Sequence, residues 1–71
     1  MKITVNIKTD YIKLGQFLKY ANIVTDGAAA KHFLSDNIIK VDGVRESRRG
    51  RKLYPGTEIE IAGSVYAIGK A

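Results

Sequence analysis

The chain has no cysteine, no tryptophan and a single proline among its 71 residues. Without thiols it can form neither disulfides nor thiolate metal sites, and a reducing cytoplasm is the compartment that suits such a composition. One histidine, His32, stands alone; with no second histidine or cysteine beside it, an ordinary metal site has too few ligands, so no metal is expected. No apolar run approaches the roughly 18 residues that a membrane helix needs, so no membrane partner is expected. The opening residues MKITVNIK alternate from the start, which reads as a strand and not as a secretory leader. Acidic residues are also scarce, 7 against 12 basic ones, for a net charge of +5.

Stability must therefore come from one apolar core, and 45% apolar residues are enough to build it. The length is near the lower limit for a chain that folds without staples. There is no linker, repeat or low-complexity tract, so residues 1–71 read as a single domain. The charge is unevenly placed. Residues 45–52 (RESRRGRK) carry five bases and one acid, a local +4, whereas the rest of the chain carries seven bases and six acids, only +1. A net charge concentrated in eight residues is the electrostatic footprint of a polyanion binder, although a solvated basic loop has the same composition.

Residues 2–7 alternate with period two and predict a strand with Ile3, Val5 and Ile7 on its buried face. Leu14, Phe17, Leu18 and Ala21 follow the i, i+3, i+4, i+7 spacing of a helix stripe that starts between Tyr11 and Leu14, with Gly15 weakening its first turn. After Asn22-Ile23-Val24, Thr25 and Asp26 are both good N-caps for a second helix over residues 27–36, with Ala30, Phe33 and Leu34 inward. Asn37 is placed to end it in the left-handed conformation. The remainder reads as strands: Ile39 and Val41, an Asp42-Gly43 hairpin turn, Leu53 after the basic segment, a Tyr54-Pro55-Gly56 turn, alternating residues 58–61, and residues 65–68 after Ala62-Gly63-Ser64. The fold class is α+β: a helical hairpin packed on a small, mainly antiparallel sheet, with an added N-terminal strand.

In that order, LGQFLKYANIV, TDGAAAKHFL and IIKVDGVRESRRGRKLYPGTEIEI resemble an S-four-type RNA-binding domain, the alpha-L motif first seen in a small-subunit ribosomal protein. Leu14, Phe17 and Leu18 match its Leu-x-x-Phe-Leu helix, and Ala30-Lys31 its second helix. Residues 39–43 match its Val-x-Val-Asn-Gly hairpin with Asp42 in the Asn position, and residues 55–59 its Pro-Gly-Asp-x-Ile strand start with Thr57 for Asp. The resemblance covers about residues 12–61, and the Arg-Arg-Gly-x-Lys-Leu segment is similar to the short, stand-alone bacterial subfamily. Two further departures from the pattern matter: Gly27 and Ala28 stand where many members carry a phosphate-binding Arg, and Lys19 replaces an Arg near the end of the first helix.

The resemblance implies a non-catalytic module that recognises structured RNA, ribosomal or transfer RNA, with the ribosome as a further partner. Arginine suits phosphates because its planar fork donates two hydrogen bonds at once. Arg48, Arg49, Arg51 and Lys52, around Gly50, are the expected phosphate ligands, with Arg45 at the edge of the set unless it pairs with Glu46 or Glu60. Lys19 and Lys31 are placed to converge on the same groove, and the amides near Gly27 offer a helix N-terminus to a phosphate. About five contacts would give a log–log salt slope near −4 to −5 on a duplex. Tyr20 and Tyr54 are candidate base-stacking residues or core-edge residues; His32 reads as a surface residue.

Catalytic residues and cofactors are not expected. Ser35, Ser47 and Ser64 would share one His, and there is neither a Gly-rich phosphate loop nor a carboxylate pair. A β-grasp carrier shares the length and opening strand, but its reactive Gly-Gly is not found in the final residues IGKA. A module that binds an acidic protein remains the rival, since the same charge serves both, and phosphates alone do not separate RNA from DNA. The expected protein is a cytoplasmic monomer.

Overall fold

The alternation of residues 2–7 folds as strand β1 (Lys2–Ile7) in the computed structural model, which describes residues 2–71. Its apolar face is covered unequally: Ile7 is buried, Val5 half-buried and Ile3 exposed. β1 is the edge strand of the main sheet, so its cover falls away toward its start. A two-residue strand, β2 (Ile12–Lys13), leads directly into helix α1 (Leu14–Tyr20). Leu14, Phe17 and Leu18 are fully buried, as the stripe predicts, and burying each such side chain contributes about 1.5–3 kcal/mol. The Phe17 ring meets Tyr66 edge-on, with centroids 5.7 Å apart.

α1 ends in a left-handed closure at Asn22 (φ 60°). Ile23 N–H donates to the Leu18 carbonyl at 2.9 Å and Asn22 N–H to that of Lys19 at 3.0 Å, which satisfies carbonyls that the helix leaves open. Helix α2 (Gly27–Asp36) starts on Asp26, whose carboxylate accepts from Ala29 N–H at 2.7 Å. The closure expected at Asn37 is different. Asn37 is extended (φ −128°), because the chain passes almost at once into β3, and its side-chain amide donates to the Phe33 carbonyl at 3.0 Å.

Strands β3 (Ile39–Val41), β4 (Val44–Arg45), β6 (Glu58–Ile61) and β7 (Ser64–Lys70) complete the main sheet in the order β1-β7-β6-β3-β4, and β5 (Lys52–Leu53) pairs with β2. All pairings are antiparallel except β1 with β7, which runs parallel from Lys2↔Val65 to Ile7↔Lys70. Alternation sets which face of a strand is buried, but not the direction of its partner, so the parallel pair lay beyond the sequence pattern. Ile39, Val41, Ile59, Ile61 and Ile68 form a core with α1 and α2. The architecture is the α+β arrangement expected: two helices packed on a mainly antiparallel sheet with an added N-terminal strand.

Two hairpins turn through residues of positive φ, Asp42-Gly43 (50° and 84°) and Ala62-Gly63 (50° and 82°), the signature of a tight two-residue turn. Asp42 tolerates this region; Ala62 does so only at a steric cost. Ala62→Asn is expected to stabilise the protein by about 0.5–1 kcal/mol, raising the thermal midpoint by several degrees in a chain of this size. Calorimetry checks it; an unchanged or lower midpoint would show that Ala62 is unstrained.

Candidate nucleic-acid interface

The basic segment is organised by an acid. Glu46 is the buried charged residue of the core periphery, and its N–H donates to the Ile39 carbonyl at 2.8 Å, which carries β4 past its last residue. Oε1 of its carboxylate accepts from Ser47 N–H (3.1 Å), Arg48 N–H (3.1 Å) and Arg48 Nε (3.0 Å). Oε2 accepts from Arg48 Nη2 and from Arg51 Nη1, both at 3.0 Å. These bonds, led by the Arg48 guanidinium and then the Arg48 N–H and opposed by burial, hold the carboxyl at about 2, below its ordinary 4.5. The same contact raises the Arg48 guanidinium.

The loop so formed is stitched to the start of α1. Leu14 N–H donates to the Arg51 carbonyl at 2.8 Å and Gly15 N–H to the Arg49 carbonyl at 3.0 Å. Both donors belong to the first turn, whose N–H groups have no partner within the helix, so loop carbonyls act as its cap. Gly15 permits this approach: a Cβ there would stand 3.4 Å from Arg49 Cβ. Gly15→Ala should be close to neutral, whereas Gly15→Val should cost about 1–2 kcal/mol by pushing the loop away. Chemical denaturation of the two variants checks the difference; equal stabilities would show that the contact is slack.

Beside the loop, the β2–β5 ribbon sets Lys13 opposite Lys52, and Lys52 Nζ lies 5.0 Å from the centroid of the Tyr11 ring. Tyr11 and Tyr54 pack at 5.8 Å with their planes tilted by 48°. Two open clefts flank this cluster. One, about 630 Å³, is lined by Arg48, Gly50, Arg51, Lys52 and Tyr54, together with Asp42 and Thr57. The other, about 1080 Å³, lies between the loop after β1 and α1 and includes Lys8, Tyr11, Lys13, Gln16, Lys19 and Tyr20.

The S4 domain family matches residues 5–69. The chain belongs to the S4 domain family. A relative named probable ribosome maturation protein RlbA, from Bacillus subtilis (strain 168), is 48% identical over 59 residues, which cover 83% of each chain.

In this S4 domain the residues singled out by sequence are distributed unequally. Arg48, Gly50, Arg51 and Lys52 line one cleft and Lys19 the other, whereas Arg45, Arg49, Lys31 and Gly27 line neither. Lys19 and Lys31, expected on one groove, therefore do not share either cleft. Arg45 is exposed on β4, opposite Lys40, and forms a salt bridge with neither of its two possible partners among the described residues, Glu46 bonding Arg48 and Arg51 instead. Successive strand residues point to opposite faces, so neighbours 45 and 46 are poorly placed to meet. At Gly27 the carboxylate of Asp26 already occupies the helix N-terminus. His32 is exposed. Among the described residues no group of three or more His, Cys, Asp or Glu could hold a metal, and no helix is long and apolar enough to cross a membrane.

Sequence reasoning missed three features. Glu46 was visible only as an acid within a basic run; its spacing from Arg48 and Arg51 was the available signal. Gly15 read as a helix weakener, although a glycine just after a helix start can also mark close approach of another segment. Tyr11, Lys8 and Lys13 carried no distinguishing pattern, since only the fold brings them together.

Proposed function

We propose that this S4 domain is a non-catalytic RNA-binding module that serves ribosome maturation by gripping structured RNA, ribosomal RNA foremost, through phosphates. The observation that carries this reading is the basic loop itself, which is ordered on the buried Glu46 and presents its remaining cations outward. Arg48 and Arg51 spend part of their donors on Glu46, and each guanidinium has five N–H groups, so both keep donors for phosphate. Arg45, Arg49 and Lys52 take part in no salt bridge among the described residues. A loop fixed before binding loses less freedom on contact than a flexible one, which favours affinity.

The family and the relative's name support RNA and the ribosome over an acidic protein as partner. A ribosomal partner also supports a cytoplasmic location. The edge strand β4 is two residues long and carries Arg45, features that discourage pairing along that edge and favour a monomer.

The test is a salt-titrated binding assay with a structured ribosomal RNA fragment and a DNA of the same sequence. Tighter binding to RNA, with a slope near −4 to −5, is expected for about five phosphate contacts. Equal binding of DNA, or no dependence on salt, would overturn the reading.

A further inference from the structure

The cleft between the loop after β1 and α1 has a composition that phosphate binding alone does not require. Its walls combine two tyrosines, Tyr11 and Tyr20, with three lysines, Lys8, Lys13 and Lys19. The single acid beside them, Asp10, accepts from Lys70 Nζ at 3.3 Å, so its charge is already countered. Both residues are exposed, Tyr11 at 37% and Tyr20 at 54%. They are also held in place. The Tyr20 hydroxyl donates to the Asn6 carbonyl at 2.9 Å, which fixes the ring from its far end. Tyr11 lies against Tyr54 with Lys52 near its face, and the turn before it is closed by Thr9 Oγ1 donating to the Tyr11 carbonyl at 2.7 Å. Lys70 Nζ donates to the Thr9 carbonyl at 3.2 Å and so ties the same loop to β7.

Immobilised, water-facing aromatic rings between cations match the two chemistries of a nucleotide, a π-face and a phosphate. The cleft is also continuous with the basic loop, since Tyr11 in its wall packs on Tyr54, which lines the cleft of Arg48 and Arg51. We propose that this cleft binds an unpaired nucleotide, stacked on Tyr11 or Tyr20 with its phosphates on Lys8, Lys13 or Lys19, next to the paired segment gripped by the 48–52 loop. This rests on the RNA-binding reading. It adds a preference to it: a strand that emerges from a helix is bound better than a blunt helix.

The experiment uses the full chain and two RNA hairpins of one sequence, one blunt and one with a three-nucleotide single-stranded extension. The wild type is expected to bind the extended hairpin about tenfold more tightly, in line with stacking of one base. Tyr11→Leu/Tyr20→Leu should lose that preference. Because the substitutions could disturb folding, a second measurement uses the wild type alone. 2-Aminopurine placed in the extension should change its fluorescence on binding, and the amides of Gln16 and Tyr20 should shift in NMR spectra only with the extended RNA. A blunt hairpin bound as tightly as the extended one, with neither spectroscopic change, would overturn the cleft while leaving the loop grip intact. Failure of the wild type to bind either hairpin would instead overturn the RNA-binding reading.

Discussion

Replacing Glu46 with glutamine is expected to lower stability by about 2 kcal/mol at neutral pH and to remove part of the protein's sensitivity to acid. The carboxyl falls from its ordinary 4.5 to about 2 in the folded chain. Taken at face value, that difference corresponds to roughly 3 kcal/mol. The side chain of Glu46 is only 8% exposed, but that of its main partner Arg48 is 74% exposed, so water screens the pair and the smaller figure applies. The group is depressed on folding. Its contribution is therefore fully present above pH 4.5 and is lost as pH falls from there toward 2. Denaturation of both proteins across this window checks it: the stabilities of wild type and Glu46→Gln should converge as pH falls. Parallel curves would show that the ion pairs contribute nothing to folding.

The same variant separates two accounts of binding. Glu46→Gln raises the net charge by one, so if charge alone governed affinity, RNA would bind it more tightly. If the ordered loop governs affinity, loss of the charge that holds Arg48 and Arg51 loosens the loop, and binding weakens although the net charge has risen. A role in positioning thus belongs to an acid, the residue type that a search for RNA ligands passes over.

That reversal marks the boundary of what the sequence discloses. The elements were legible because each depends on its own residues. The helix stripe of Leu14, Phe17 and Leu18, the cap at Asp26, the Asp42-Gly43 turn and the alternation of residues 58–61 all reflect short-range sterics and periodicity. The concentration of bases in residues 45–52 was legible for the same reason. What stayed hidden needed the tertiary fold. The parallel pairing of β1 with β7 joins residues more than sixty apart, and Gly15 meets Arg49 only when the loop folds back on α1. The closure misassigned to Asn37 shows a local limit as well. Asn22 and Asn37 both follow a helix, and the course of the chain beyond each decides which one enters the left-handed region.

The triple variant Arg45→Ala/Arg49→Ala/Lys52→Ala is expected to weaken RNA binding on the order of a hundredfold near physiological salt and to flatten the salt slope by about three, with little change in stability. These three cations are exposed and make none of the bonds that order the loop. Arg49 supports α1 through its backbone carbonyl and touches the Gly15 side through Cβ, and alanine keeps both atoms. Lys52 gives up its position over Tyr11, an interaction worth about 0.5–1 kcal/mol at an exposed site. Substituting Arg48 or Arg51 would be a poorer test, because either change strips Glu46 of a partner and confuses a folding defect with a lost phosphate contact. The contrast supplies the control: Arg48→Ala should lower the thermal midpoint, whereas the triple variant should lower affinity at a nearly constant midpoint. A triple variant that binds RNA with the slope and affinity of the wild type would remove this face from the interface. The basic segment would then be better read as the docking surface for an acidic protein.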